Sequence, residues 1–268
     1  MNESDSDDDA VTRGLPELAP AAPEDFALRV LRRVGISEDH YDSYVRLDTA
    51  AGGLFVAASP RAVTGACLDS AGLTGAAFEE LHRARTGRSA IPGSKPLPGL
   101  LPALRTGRAR RLAIDLSGLP EEQRAVLEAV RNIPAGQLRP LSWIAREAAT
   151  GTPPSASDVL RALASNPVAV LIPCHRVTHD NGSPCDAAYL PKAGAALRRA
   201  EHIDMRRVKE LSRAGAVFLG SDTTFIYCHP TCAHARRITP GHRVHFRTAQ
   251  DAREAGYRAC KSCRPITV

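Results

Sequence analysis

Val168-Ala169-Val170-Leu171-Ile172-Pro173-Cys174-His175-Arg176-Val177 is the stretch that decides how this chain reads. An apolar run, Val168–Ile172, which reads as a strand, ends in a proline, which lacks a backbone donor and stops regular pairing. A thiol and an imidazole follow at once. The thiolate is a nucleophile, and a neighbouring imidazole can hold or relay its proton. A lone cysteine is more often a small buried hydrophobe, so the surroundings carry the weight.

Outward from this stretch, residues from Pro120 onward have a helical texture. Val126, Val130 and Ile133 share one face, and Pro134-Ala135-Gly136 closes that helix. Trp143–Ala149 and Ser157–Ser165 read as two more short helices around a Gly/Pro-rich turn. The pair fits a helix-turn-helix, whose second helix enters a groove of DNA, and equally an ordinary helical hairpin. The half before Pro120 reads as α/β. It has a short helix from Phe26 to Gly35, strands at Tyr44–Leu47 and Leu54–Ala57 around Gly52-Gly53, a third strand at Val63–Leu68 and a helix at Ala76–Arg85. Pro92, Pro96, Pro98 and Pro102 mark an irregular stretch before a strand near Leu112–Leu116. Residues 1–24, acidic and then Pro/Ala-rich, read as a disordered tail.

The net charge of the 268 residues is +6, although Glu3, Asp5, Asp7, Asp8 and Asp9 crowd the start. The folded part is therefore more basic than the total, which suits a polyanionic partner. No apolar segment follows a basic N-terminus, and no run is long enough to cross a bilayer. The expectation is a soluble, cytoplasmic protein with no membrane partner. There, seven cysteines point to chemistry or metal rather than to disulfides.

Four of those cysteines are paired by spacing, in Cys228-His229-Pro230-Thr231-Cys232 and Cys260-Lys261-Ser262-Cys263. This is structural zinc spacing. A metal is also what would hold together a segment of about 50 residues with few large apolar side chains. Zn²⁺ is the expected cofactor, held by Cys228, Cys232, Cys260 and Cys263, with His229 as the competing ligand. His234, His242 and His245 read as solvated or phosphate-facing, Cys67 as core, and Cys185 as a spare thiol.

With its surroundings over residues 43–203, the Cys174 motif resembles the O6-alkylguanine-DNA alkyltransferases, the methylated-DNA–protein-cysteine methyltransferases. The resemblance implies a small α/β domain over 25–112 and a helical, winged helix-turn-helix-like catalytic half over 113–203. It implies single-turnover transfer of an alkyl group from a flipped guanine to Cys174. Matching positions then take roles. His175 removes the thiol proton through a water, Glu201 holds the imidazolium, Asn166 braces the turn and Arg176 anchors it. By themselves Asn166-Pro167 would be a helix stop and Glu201 a solvated helix residue; their spacing to Cys174 makes them site candidates.

The chain also departs from the family pattern. The tyrosine that usually precedes the first helix is absent from Pro140-Leu141-Ser142-Trp143. The arginine that fills the gap left by a flipped base is Ser157, followed by Asp158, with Arg161 one turn on. The glycine/tyrosine-rich substrate loop is replaced by Gly182–Tyr189. These departures keep a rival open: a non-catalytic alkyl-DNA recognition or regulatory protein.

Residues 217–265 are similar to the zinc domain of the Ada proteins, which implies a separate small zinc domain over 204–268, in an order reversed relative to Ada. In that family the first cysteine, here Cys228, also accepts a methyl group from a DNA methylphosphotriester. Arg236 and Arg237, with Arg243 and Arg247, would meet phosphates. Phe225 stands where the family has glycine and His229 replaces an arginine, so a purely structural zinc clip is the alternative. The implied partner is alkylated double-stranded DNA, met by a monomer.

Overall fold

The computed structural model describes residues 23, 25–69 and 72–265. The acidic tail expected over 1–24 lies outside the described residues, apart from Pro23.

Alternation of side chains builds the first half. Strands β1 (Tyr41–Thr49) and β2 (Gly52–Ala58) form an antiparallel hairpin with Val45 opposite Val56 and Leu47 opposite Leu54. Strand β3 (Val63–Leu68) adds antiparallel to β2, and β4 (Ser89–Pro92) adds parallel to β1, giving the order β3-β2-β1-β4. Because successive side chains point to opposite faces, Tyr44 and Phe55 meet Phe78 of helix α2 (Gly75–Thr86), while Val45, Leu54 and Val56 enter the main core. Helix α1 (Phe26–Arg33) precedes the sheet. The buried Asp42 carboxylate ties β1 to its neighbours, accepting from Thr64 Oγ1 and pairing with His82 Nε2, each at 2.8 Å, and accepting from Arg88 Nε at 3.0 Å.

Helices α4 (Glu121–Arg131), α5 (Leu141–Glu147) and α6 (Ala156–Ala164) pack through Val126, Val130, Leu141, Ile144, Val159 and Leu163. Ser155 and Asp158 form a capping box that starts α6. A 3₁₀ turn at Cys174–Arg176 leads into β6 (Val177–Thr178), which pairs in parallel with β5 (Arg139–Pro140), and α7 (Pro191–Ala200) follows.

Three expectations need correction. Near Leu112–Leu116 there is no strand, only an isolated bridge from Ile114 to Val63. Leu112 and Leu116 instead bury as core plugs, and Arg131 holds the loop by donating to the carbonyls of Ala109, Arg110 and Leu112. The apolar run before Pro173 is not a strand either. Val168 bridges Ala66, but Val170 has φ 68, which turns the chain out of extended geometry. The proline-marked stretch is less irregular than expected, because it contains β4 and helix α3 (Leu100–Thr106), which starts at Gly99 with φ 85.

After helix α8 (Met205–Arg213), a second sheet has the order β10-β8-β7-β9, from β7 (Phe218–Ser221), β8 (Ile226–Cys228), β9 (Arg243–Phe246) and β10 (Arg258–Ala259). Short helices α9 (Ala233–Arg236) and α10 (Ala249–Glu254) lie beside it. One small core is aromatic, with Phe218, Tyr227, Phe246 and Tyr257; the other is built on the four cysteines. At Gly220 a Cβ would stand 2.7 Å from both Phe246 and Tyr257, so only glycine fits under these rings.

Candidate functional site

Asn166 builds the Cys174 site from the end of α6. Its Oδ1 accepts from Val168 N at 2.9 Å, while Nδ2 donates to the Ile172 carbonyl and to Cys174 Sγ, both at 3.2 Å. Cys174 N closes the turn onto Ile172 O at 2.9 Å. Tyr189, the last residue of the altered loop, enters the same place. Its hydroxyl accepts from Val170 N at 3.1 Å and donates to Ile172 O at 3.3 Å, and its ring centroid lies 6.1 Å from that of His175. Val170 is thereby held in the left-handed region, which β-branched residues rarely adopt. Cys174 is buried. That burial pushes its thiol up to about 12, against the pull of the Asn166 amide, so at neutral pH the resting sulfur is protonated.

His175 faces the C-cap of α7. Its Nε2 pairs with Glu201 Oε1 at 3.0 Å, and among the described residues its buried Nδ1 has no partner. Burial lowers the His175 pKa, outweighing Glu201, so the imidazole is neutral and able to accept a proton. Burial pushes Glu201 up, but the bonds from His175 and Arg176 outweigh it and hold the carboxyl at about 2. Arg176 clamps Glu201 through Nε at 2.9 and 3.1 Å and through Nη2 at 2.6 Å, and also donates to the carbonyls of Ile133 and Gly107 at 2.7 and 2.6 Å. Glu201 Oε2 further accepts from Gly136 N at 2.8 Å. Asn166, Cys174, His175, Arg176 and Glu201 therefore form one contiguous assembly.

The four candidate DNA-contact residues do not cluster. Ser157 and Arg161 are exposed on α6, where Ser157 Oγ meets Ser155 Oγ at 2.8 Å and Arg161 pairs with Asp158 at 2.9 Å. Arg236 instead lines a cleft of about 980 Å³ together with His175, Arg176, Glu201 and His202. Arg237 lines a different cleft, of about 580 Å³, with Cys228, Cys260, Arg258 and Lys261.

In the C-terminal unit the sulfurs of Cys228, Cys232, Cys260 and Cys263 all lie within 4.8 Å of one another, and all four residues are buried. Strand β8 delivers Cys228, the start of α9 delivers Cys232, and the turn after β10 delivers the other two. Four buried thiols this close suit tetrahedral zinc. His229 is not a member of the group; its ring packs 5.4 Å from Phe218, and burial, helped by Arg139, holds it down to about 3. His242 pairs with Asp222 at 2.8 Å, and His234 and His245 are exposed. Phe225 adopts φ 52, a backbone state that favours glycine.

Sequence reasoning missed several residues that the site depends on. Gly107 has φ 65, and a Cβ there would meet Arg176 Nη2 at 2.8 Å and Glu201 Oε1 at 3.0 Å. Tyr189 had a visible signal, as the one tyrosine of the altered loop. Arg139 had none.

Residues 121–203 match the family described as 6-O-methylguanine DNA methyltransferase, DNA binding domain, and residues 204–265 match the metal binding domain of Ada. The methylated-DNA–protein-cysteine methyltransferase of Shigella flexneri is 34% identical over 110 residues, which is 39% of this chain and 62% of that protein. The enzyme of the same name from Methanothermobacter thermautotrophicus is 41% identical over 70 residues, 26% of this chain and 38% of that protein. The chain thus spans less than two thirds of the length of these relatives. A crystal structure of Mycobacterium tuberculosis O6-methylguanine methyltransferase aligns with a TM-score of 0.42 and 25% identity, over 65% of this chain and 93% of that one. An alkyltransferase-type DNA-binding domain and an Ada-type zinc-binding domain are both present here.

Proposed function

We propose that this chain, an alkyltransferase-type domain joined to an Ada-type zinc-binding domain, repairs DNA by direct transfer of an alkyl group from O6-alkylguanine to Cys174. The observation that carries the reading is the Asn166 amide 3.2 Å from the Cys174 sulfur, on a turn that also fixes the His175–Glu201 pair at 3.0 Å. The sulfur attacks the alkyl carbon as the carbon–oxygen bond breaks and guanine leaves with the electron pair. The thiol proton passes through a water to His175 and on to the departing base. Glu201, fixed by Arg176, stabilises the imidazolium in between. A thioether has no leaving step, so each molecule reacts once. The resting thiol is neutral, so proton removal accompanies attack rather than preceding it.

The target base lies inside a duplex and has to be flipped out. In this reading α5 and α6 are the helix-turn-helix of a winged fold within residues 113–203, the α/β domain spans 25–112, and the zinc domain spans 204–268. The exposed face of α6 with Ser157 and Arg161 meets DNA, and the protein acts as a monomer on alkylated duplex. The rival, non-catalytic role has no use for Asn166, His175 and Glu201 converging around one thiol.

Cys228 is the proposed second acceptor, for a methylphosphotriester. In support, Cys228 lines the 580 Å³ cleft whose walls carry Arg237, Arg258 and Lys261. Bound zinc keeps its four sulfurs as thiolates at neutral pH. The test is intact and peptide mass after incubation with methylated duplex. One methyl mass on the peptide spanning Ile172–Arg176, lost in Cys174→Ser, is the expected result. A folded protein unlabelled there at high lesion excess would overturn the enzyme reading.

A further inference from the structure

Arg139 is 2% exposed, yet among the described residues its charge meets no carboxylate. Nη1 donates to the Leu138 carbonyl at 2.7 Å, Nη2 to Gln137 Oε1 at 2.8 Å, and Nε has no partner among the described residues. A buried cation with only neutral hydrogen-bond partners is costly, so something nearby has to offset it.

What surrounds Arg139 is the contact between the two modules. Its guanidinium lies 5.5 Å from the ring centre of Trp143 on α5, and Trp143 Nε1 donates to the carbonyl of Cys263 at 3.0 Å. Leu138, next to Arg139, exchanges bonds with Thr231, next to Cys232: Leu138 N donates to Thr231 Oγ1 at 2.8 Å, and that hydroxyl donates to Leu138 O at 3.3 Å. Arg146 donates to the Arg264 carbonyl at 2.7 Å, and Arg264 pairs with Glu147. The segment from Leu138 to Arg146, which carries Arg139, is thus pinned to the two loops that carry Cys232 and Cys263.

We propose that Arg139 is the counter-cation of the Cys228–Cys232–Cys260–Cys263 centre, supplied across the domain contact by the alkyltransferase half. Four thiolates on Zn²⁺ leave a net charge of about −2. In a buried setting that charge and the guanidinium satisfy each other, and the zinc module is clamped onto α5 without covering α6. Consistent with this, the sulfurs of Cys263, Cys232, Cys260 and Cys228 pull against the burial that lowers the Arg139 pKa. Arg139 is here a positioning residue. It touches neither the metal nor a reacting atom, but it tunes how tightly the site holds its ion, as outer partners of metal ligands do.

The test uses the full-length, zinc-loaded protein and compares Arg139→Met, Arg139→Gln and Arg139→Lys with the wild type. Zinc affinity is read by competition with a coloured chelator, and docking by amide exchange of residues 138–147 with zinc still bound. Removing the charge should weaken zinc binding on the order of ten-fold and speed exchange in that segment, while Arg139→Lys stays near wild type in both. Replacing Cys260 with His, a neutral ligand, should shrink the effect of Arg139→Met severalfold, because less charge remains to offset. If Met fails to fold, Gln, which keeps hydrogen-bonding capacity, carries the same comparison. Wild-type zinc affinity in the neutral variants, or a Lys variant as weak as they are, would overturn the proposal in favour of plain packing.

Discussion

The side-chain amide of Asn166 donates at 3.2 Å to the sulfur of Cys174 and at 3.2 Å to the carbonyl of Ile172, a carbonyl that also accepts from Tyr189 at 3.3 Å. The turn that carries the nucleophile is therefore held by one residue from before it and one from after it. Neither is replaceable by a merely apolar group without leaving a buried donor or acceptor unmet.

Tyr189→Phe tests the second of these supports. It keeps the ring but strands the Val170 N–H in a residue already at φ 68. An unfolding penalty of about 1–3 kcal/mol is expected, with faster reaction of Cys174 toward a small thiol reagent. Urea unfolding and timed labelling read the two effects. Unchanged labelling would mean that Tyr189 does not control access to the sulfur.

Acid should find Glu201. Its folded pKa of about 2 lies below the ordinary 4.5, so its contribution to stability is fully present above pH 4.5 and is lost as pH falls toward 2. At 1.36 kcal/mol per unit the contribution is about 3 kcal/mol. Glu201→Gln should remove that acid-sensitive limb, seen as a flatter plot of urea midpoint against pH between those values. An unchanged limb would place the sensitivity elsewhere.

On α6, Ser157 is exposed and its hydroxyl meets Ser155 Oγ, so Ser157→Arg should fold normally. If base flipping limits the reaction, this variant should react faster with alkylated duplex and at an unchanged rate with the alkylated free base. Rapid-quench labelling of Cys174 with both substrates makes the comparison. Equal acceleration on both would show that the helix position is not limiting.

Native mass measurement should find one zinc per chain, and chelation should expose the aromatic core of Phe218, Tyr227, Phe246 and Tyr257 to solvent. Phosphotriester DNA should add one methyl group at Cys228 without ejecting the metal. Removing one negative charge should then tighten DNA binding, with a larger gain at low salt. Methylation with unchanged affinity would leave repair without a switch; zinc binding without methylation would leave a structural clip.

The sequence alone determined what depends on near neighbours: the Pro-Cys-His-Arg turn, the Cys228/Cys232 and Cys260/Cys263 spacings, the alternation of β1 and β2, and the helix stop before Asn166-Pro167. These are legible because dihedral limits, hydrophobic periodicity and ligand reach act over a few residues. The run Val168–Ile172 misled for a physical reason, since Tyr189, 19 residues beyond Val170, holds it out of a strand. Likewise Gly107 matters only because Arg176 donates to it across 69 residues, and Trp143 only because it reaches Cys263 across 120. Arg139 looked like any arginine until folding buried it against Trp143 at the contact between the two domains. Only the tertiary structure decides such roles, because burial and a distant partner are what turn an ordinary side chain into a constraint.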